Sequence, residues 1–218
     1  METAKEIEKD SDRNKKLCPV CKRYYERDSC EYCKRTSLWN RQVDLQVFTP
    51  RIKKILNENL VKIDPKDINY LHDGGSLLIT GKLGVGKTIY GAAVMLESMR
   101  LCYIEDLKLG YHHFVKISGL LQKIRDSFDG DGDKISLDFL YRDFILFDDL
   151  GTEKVTDWVI DTLYRIVDYR YEYMLPTIFT TNLTGEELSD KIGNRITDRI
   201  EEMCRVVVLE NKNYRNGR

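Results

Sequence analysis

No stretch of this 218-residue chain is apolar for long enough to cross a bilayer, which excludes a membrane-spanning helix as a reading of the sequence. Net charge is also lacking: 35 Lys and Arg against 36 Asp and Glu leave −1, with a pI near 6.3. A globally basic nucleic-acid binder is thereby excluded, and any contact with DNA has to come from local arrangement. Met1 to Asp10 is mixed-charge and has no apolar core of the kind a signal peptide needs, so the expected location is the cytoplasm, with no membrane contact. There is no internal repeat and no low-complexity tract. The alternating Asp and Gly of residues 129–133 lack the glutamate and the length of an EF-hand and read as a solvated loop. His112 and His113 are neighbours on an expected strand and face opposite ways, so they do not share one metal ion. The length leaves room for one nucleotide-binding domain and a small appendage, and 42% hydrophobic residues suffice for a packed core.

What is present begins with Ser76-Leu77-Leu78-Ile79-Thr80, an apolar run that breaks into Gly81-Lys82-Leu83-Gly84-Val85-Gly86-Lys87-Thr88. This reads as strand, phosphate loop and helix. Glycines at 81, 84 and 86 let backbone N–H groups, with that of Val85, close around phosphate oxygens at a helix N-terminus. Lys87 supplies a point charge to the β- and γ-phosphates, and Thr88 a hydroxyl for Mg²⁺. A second acidic site is expected at the end of a neighbouring strand, and Phe144-Ile145-Leu146-Phe147-Asp148-Asp149 provides it. Asp148 would complete the Mg²⁺ shell, and Asp149 would polarise the attacking water. Thr177-Ile178-Phe179-Thr180-Thr181-Asn182 reads as another buried strand, ending in an amide able to orient water against a γ-phosphate.

The cysteines form a second signal. Cys18-Pro19-Val20-Cys21 and Cys30-Glu31-Tyr32-Cys33 are two C-x-x-C knuckles separated by eight residues. Reduced cysteines in this spacing offer four thiolates to one Zn²⁺, whose binding would supply the folding free energy of so small a module. The surrounding lysines and arginines read equally well as a contact surface for nucleic acid or acidic protein and as a solvated face. Residues 1–36 are therefore an arm and zinc-binding module, 37–73 a linker with helical content starting at Thr49-Pro50, and 74–218 the nucleotide domain. Within the last, helices are expected from Ser118, through Trp158 to Tyr171, and from the capping sequence Thr184-Gly185-Glu186-Glu187; Arg205 to Leu209 is a final strand.

In this order the glycine loop, Phe147-Asp148-Asp149-Leu150-Gly151, the Leu175 to Asn182 strand, Asn194-Arg195-Ile196-Thr197-Asp198-Arg199 and Asn213-Tyr214-Arg215 resemble the AAA+ ATPase of DnaC/DnaI-type replicative helicase loaders. The resemblance runs from about residue 70 to the C-terminus. It implies an α/β P-loop fold, a five-stranded parallel sheet flanked by helices, binding ATP with Mg²⁺. It makes Asn182 the sensor 1 residue, Arg199 the arginine finger reaching a neighbouring subunit's nucleotide with Arg195 as runner-up, and Arg215 the sensor 2 residue. Ion pairing with Glu201 and Glu202 is the plainer reading of those arginines. The implied activity is slow ATP hydrolysis that times self-association, capture of a hexameric DnaB-type helicase and its delivery to single-stranded DNA. Most AAA+ ATPases carry Asp-Glu where this chain has Asp148-Asp149, and the shorter side chain suits a timed switch better than a motor. Two alternatives stand beside it: an IstB-type transposition helper acting on duplex DNA with a transposase, and a non-hydrolysing nucleotide-binding adaptor.

Overall fold

The computed structural model describes residues 16–17, 24–25, 31, 33–35, 47–58, 61–105, 112–129, 137–141 and 144–210. The chain forms two compact units, 1–44 with 100–108, and 45–99 with 109–218. In the smaller unit strands β1 (Lys16–Leu17) and β2 (Tyr24–Tyr25) pair antiparallel, Lys16 opposite Tyr25, on either side of the sequence that carries Cys18 and Cys21. In the same unit the Arg35 guanidinium donates to the carbonyl of Tyr103 at 3.5 Å.

The larger unit opens with two short helices. Helix α1 (Pro50–Asn57) follows the expected Thr49-Pro50 start and buries Ile52 and Leu56. Helix α2 (Pro65–His72) is capped by Asp64, whose carboxylate accepts from the Lys66 amide at 2.9 Å. An Asp-Pro pair is a helix-start signal, and it lies inside the stretch read as a linker; with Phe48, Ile52, Ile68 and Leu71 buried, residues 45–73 of that stretch group with the larger unit. The phosphate-loop strand β3 (Ser76–Thr80) leads into α3 (Lys87–Glu105), which continues through Arg100 to Ile104, a stretch without a legible pattern. Strand β4 (His112–Lys116) and α4 (Ile117–Asp129) follow, then β5 (Phe144–Leu150), α5 (Asp157–Glu172), β6 (Thr177–Thr181), α6 (Gly185–Ile192), α7 (Asn194–Met203) and β7 (Cys204–Val208). Thr184 and Glu187 form the anticipated capping box at the start of α6.

The five strands β3 to β7 make one parallel sheet in the order β4-β5-β6-β3-β7. Strands of a parallel sheet covered on both faces are buried throughout, which is why Leu77–Ile79 of β3 and Phe144–Phe147 of β5 are continuous apolar runs; β6 is equally buried but carries Thr177, Thr180 and Thr181. Their buried side chains meet those of the surrounding helices, including Ile117, Leu120 and Ile124 of α4 and Val159, Leu163 and Ile166 of α5. Gly91 lets α3 lie close on the sheet: a Cβ there would stand 3.0 Å from Leu146 and 3.3 Å from Ile79. On the other flank the Tyr90 hydroxyl donates to Asp67 at 2.6 Å, and Arg205 reaches the same carboxylate at 3.4 Å. Burial and the Asp67 carboxylate push the Tyr90 phenol up to about 12, so it remains a donor tying α3 to α2.

Arg170 is a charged side chain set fully inside the core. It has no exposed surface, and its guanidinium donates to the Thr177 hydroxyl at 2.8 Å, the Leu140 carbonyl at 2.8 Å and the Pro176 carbonyl at 2.9 Å. It joins α5 to the turn before β6 and to the 3₁₀ segment Asp138–Tyr141. Replacing it with Met keeps the volume but strands these acceptors in an apolar interior, where each loss is worth about 1–3 kcal/mol. Arg170→Met is therefore expected to lower unfolding free energy by at least about 3 kcal/mol, read from the midpoint and slope of urea denaturation.

Candidate nucleotide site

Because the sheet is parallel, the carboxyl ends of its strands emerge together, and ligands of open α/β sheets bind at that edge. The glycine loop follows β3, Lys116 ends β4, Asp148 and Asp149 lie at the end of β5, and Asn182 follows β6. All of these border one cleft with Gly84, Gly86, Lys87 and Thr88. Five predicted side chains, Lys87, Thr88, Asp148, Asp149 and Asn182, are thus brought together from three separate stretches of sequence.

The loop has the backbone its glycines were expected to allow. Gly81, Gly84 and Gly86 have φ of 143°, 85° and 99°. At Gly81 a Cβ would fall 2.5 Å from the Leu209 carbonyl, so the first glycine also admits the chain leaving β7. Val85 is buried. Lys87 is only 6% exposed, and its ammonium folds back onto the carbonyls of Gly81 at 2.7 Å and Lys82 at 2.9 Å. Its charge is thus held at the curl of the loop.

Asp148 is 1% exposed. Burial pushes its carboxyl above the ordinary range; hydrogen bonds from the Thr88 and Thr180 hydroxyls pull the other way, Asp149 raises it and Lys116 lowers it. The bond to Thr88 places a hydroxyl and a carboxylate side by side, a hard oxygen donor pair suited to Mg²⁺ with water and phosphate completing the shell. Asp149 is half-buried, and its φ of 62° is unusual for a residue with a side chain.

The cleft contains residues that sequence reasoning missed. Lys116 pairs in register with Asp148 across β4 and β5. Nothing in the sequence marks it, since strand order is not written there. Thr49, Arg51, Ile52 and Ile55 of the α1 region line the other part of the cleft with Leu83. They offer an apolar wall and one guanidinium beyond the phosphate loop. Trp39 lies outside the described residues, and Phe48 packs edge-on to Phe114 with centroids 6.0 Å apart.

The arginines stand elsewhere. Arg199 on α7 is paired with Asp168 of α5, donates to the Tyr164 hydroxyl at 3.3 Å and lies over the rings of Tyr164 and Tyr171. Its carboxylate partner is on another helix, not Glu201 or Glu202; Glu202 instead accepts from Tyr171. Arg195 lies over the same Tyr164 ring at 5.7 Å. Neither arginine is among the residues lining the cleft. Arg215 and Cys18, Cys21 and Cys30 lie outside the described residues, and Cys33 is described and half-buried. Among the described residues no group of three or more His, Cys, Asp or Glu is set to hold a metal ion, and no helix is long and apolar enough to cross a membrane.

The chain is similar to several known proteins. The phage-like element PBSX protein XkdC of Bacillus subtilis (strain 168) is 27% identical over 140 residues, 59% of this chain and 47% of that protein. The replicative helicase loader DnaI of the same strain is 25% identical over 165 residues, 69% of this chain and 51% of that protein. This chain therefore spans about half the length of these two relatives. The crystal structure of the DnaC helicase loader superimposes with a TM-score of 0.56 at 25% identity, covering 66% of this chain and 86% of that one.

The buried carboxylate sets stability against ligand binding. Asp148→Asn removes a desolvated charge while keeping an acceptor for Thr180, and is expected to stabilise the ligand-free protein by about 1 kcal/mol in thermal unfolding while abolishing the Mg²⁺-dependent part of nucleotide binding. The profile of the IstB-like ATP binding proteins matches residues 26–218, and with the glycine loop, Lys87, Thr88 and the acidic pair assembled on one parallel sheet, the chain belongs to that family of ATP-binding proteins.

Proposed function

We propose that this protein is a slow ATPase that loads a replicative helicase: in its ATP state it self-associates, holds a hexameric DnaB-type helicase, and delivers it to single-stranded DNA, with hydrolysis releasing the loader. The observation that carries the reading is the convergence of Lys87, Thr88, Asp148, Asp149 and Asn182 on one cleft. The choice of a loader is supported by relatives that are themselves named replicative helicase loaders.

Each side chain has a task in this proposal. Lys87 moves from the loop carbonyls to the β- and γ-phosphate oxygens. Thr88 and Asp148 would hold Mg²⁺, which supplies positive charge to the phosphates when bound. Asp149 accepts a hydrogen bond from the attacking water and orients it, and Asn182 fixes that water against the γ-phosphate. Lys116 adds a second cation beside Asp148. Thr49, Ile52, Ile55 and Leu83 pack against the nucleoside, so that the adenine end lies toward α1. Arg199 acts in trans as the finger, which requires it to leave Asp168 and Tyr164; Arg195 is the alternative, and Arg215 contacts the nucleotide as sensor 2. Cys18, Cys21, Cys30 and Cys33 bind Zn²⁺, and the module they form contacts the helicase.

The family profile favours one second reading, an IstB-type transposition helper that assembles on duplex DNA with a transposase. One experiment separates the readings. ATP turnover and oligomer size are measured with Mg²⁺ and single-stranded DNA, with and without a DnaB-type helicase. A defined complex with the helicase that is lost on deleting residues 1–35 is expected. Assembly on duplex DNA with no helicase complex would move the protein to the transposition reading, and absence of turnover under every condition would make it a nucleotide-binding adaptor. Asp149→Asn is expected to keep ATP affinity and lose turnover by about 100-fold or more, the low end of general-base contributions, whereas Lys87→Ala loses ATP binding itself. Purified protein is expected to carry one Zn²⁺ per chain by elemental analysis, and Cys18→Ser together with Cys30→Ser to remove it.

A further inference from the structure

Resting on the nucleotide reading of this cleft, we infer that Thr180 is a positioning residue that fixes both carboxylates of the acidic pair through one hydroxyl. The sheet carries an irregularity beside these acids. Phe147 faces Phe179 and Leu150 faces Thr181, so two residues of β5, Asp148 and Asp149, stand against the single residue Thr180 of β6. This is a bulge, uncommon between parallel strands, and bulges beside functional sites re-aim side chains. Here it coincides with the left-handed φ of 62° at Asp149. Without it, strict alternation would turn Asp148 and Asp149 to opposite faces of the sheet.

A bulge leaves a ladder amide without its backbone partner. The amide of Asp149 donates instead to the Thr180 hydroxyl oxygen at 3.0 Å, and the proton of that hydroxyl goes to Asp148 Oδ1 at 2.8 Å. One side chain spends its acceptor on one acidic residue and its donor on the next. Only a hydroxyl can do both at this size; an isosteric valine does neither. Thr180 is fully buried, so water cannot stand in.

Neighbouring threonines extend the frame to Asn182. Thr181 donates to the Leu150 carbonyl at 2.8 Å and accepts from the Leu183 amide at 3.2 Å, and Thr80 donates to the Leu183 carbonyl at 2.9 Å. The residue after Asn182 is therefore held at both its N–H and its C=O. Through this frame, a change at Asp148 is transmitted to Asp149 by Thr180 and toward Asn182 by the adjoining residue of the same strand.

The test compares the full chain with Thr180→Val and Thr180→Ser. A fluorescent ATP analogue is titrated without metal, then with Mg²⁺ and with Mn²⁺, and turnover is followed in parallel. Thr180→Val is expected to weaken the metal-dependent gain in affinity and the turnover by about 10- to 100-fold and, with two buried hydrogen bonds lost, to lower the melting temperature, while metal-free affinity stays close to the parent's; Thr180→Ser is expected to restore most of both losses. A valine variant with the parent's metal dependence would overturn the inference, as would a serine variant as impaired as valine, because the methyl group would then be what matters. If the valine variant does not fold, Thr180→Cys, similar in size with a weaker donor, is read against Thr180→Ser by the same criterion. If the unaltered chain shows no metal-dependent nucleotide binding, the nucleotide reading falls and this inference with it; metal-dependent binding in the parent that Thr180→Val leaves unchanged overturns this inference alone.

Discussion

A carboxylate removed from water costs several kcal/mol unless its surroundings compensate, and the functional end of this molecule is arranged around one such group. Asp148 is almost wholly buried at the end of β5. Its compensation comes from the Thr88 hydroxyl of the helix that follows the glycine loop, the Thr180 hydroxyl of β6 and the Lys116 cation at the end of β4. Those three groups come from three different elements at the cleft, α3, β6 and β4, so satisfying one charge also brings these elements of the site into register.

The sheet makes that convergence possible. With β5 beside both β4 and β6, and β3 on the far side of β6, four carboxyl ends emerge along one edge. Packing keeps them there. Gly91 allows α3 to sit against Ile79 and Leu146, while Arg170 fastens α5 to the segment that enters β6. The stiffness of this scaffold is the setting for the left-handed backbone at Asp149, since strained conformations of this kind persist where the surrounding structure over-determines them.

A second polar cluster lies on α5 and α7, where Arg195 and Arg199 share Tyr164, and Asp168 pairs with Arg199. Here the charges are partly exposed, and exposed pairs contribute little to stability. A guanidinium held this way is oriented without being buried.

The sequence alone determined much of this protein. Strands 76–80 and 144–150 were legible because a parallel sheet covered on both faces demands apolar runs, and 177–181 because its threonines, isoleucine and phenylalanine favour a buried strand. The phosphate loop was legible because its chemistry depends on adjacent residues, with glycine wherever φ turns positive. Asp148, Asp149 and Asn182 could be read as strand ends. What depends on which strands are neighbours was misjudged or left undecided: the acidic strand was expected beside the phosphate-loop strand, whereas β6 lies between β5 and β3. Lys116 looked like the end of an ordinary strand, and Thr49, Arg51 and Ile52 like part of a linker; only the fold puts them in the cleft. Thr180 looked like a buried strand residue, and only the offset between β5 and β6 turned its hydroxyl to both acids. Local pattern records what a segment must bury and where the backbone must bend; side-chain partners far apart in sequence arise from strand order and register, which the tertiary structure alone decides.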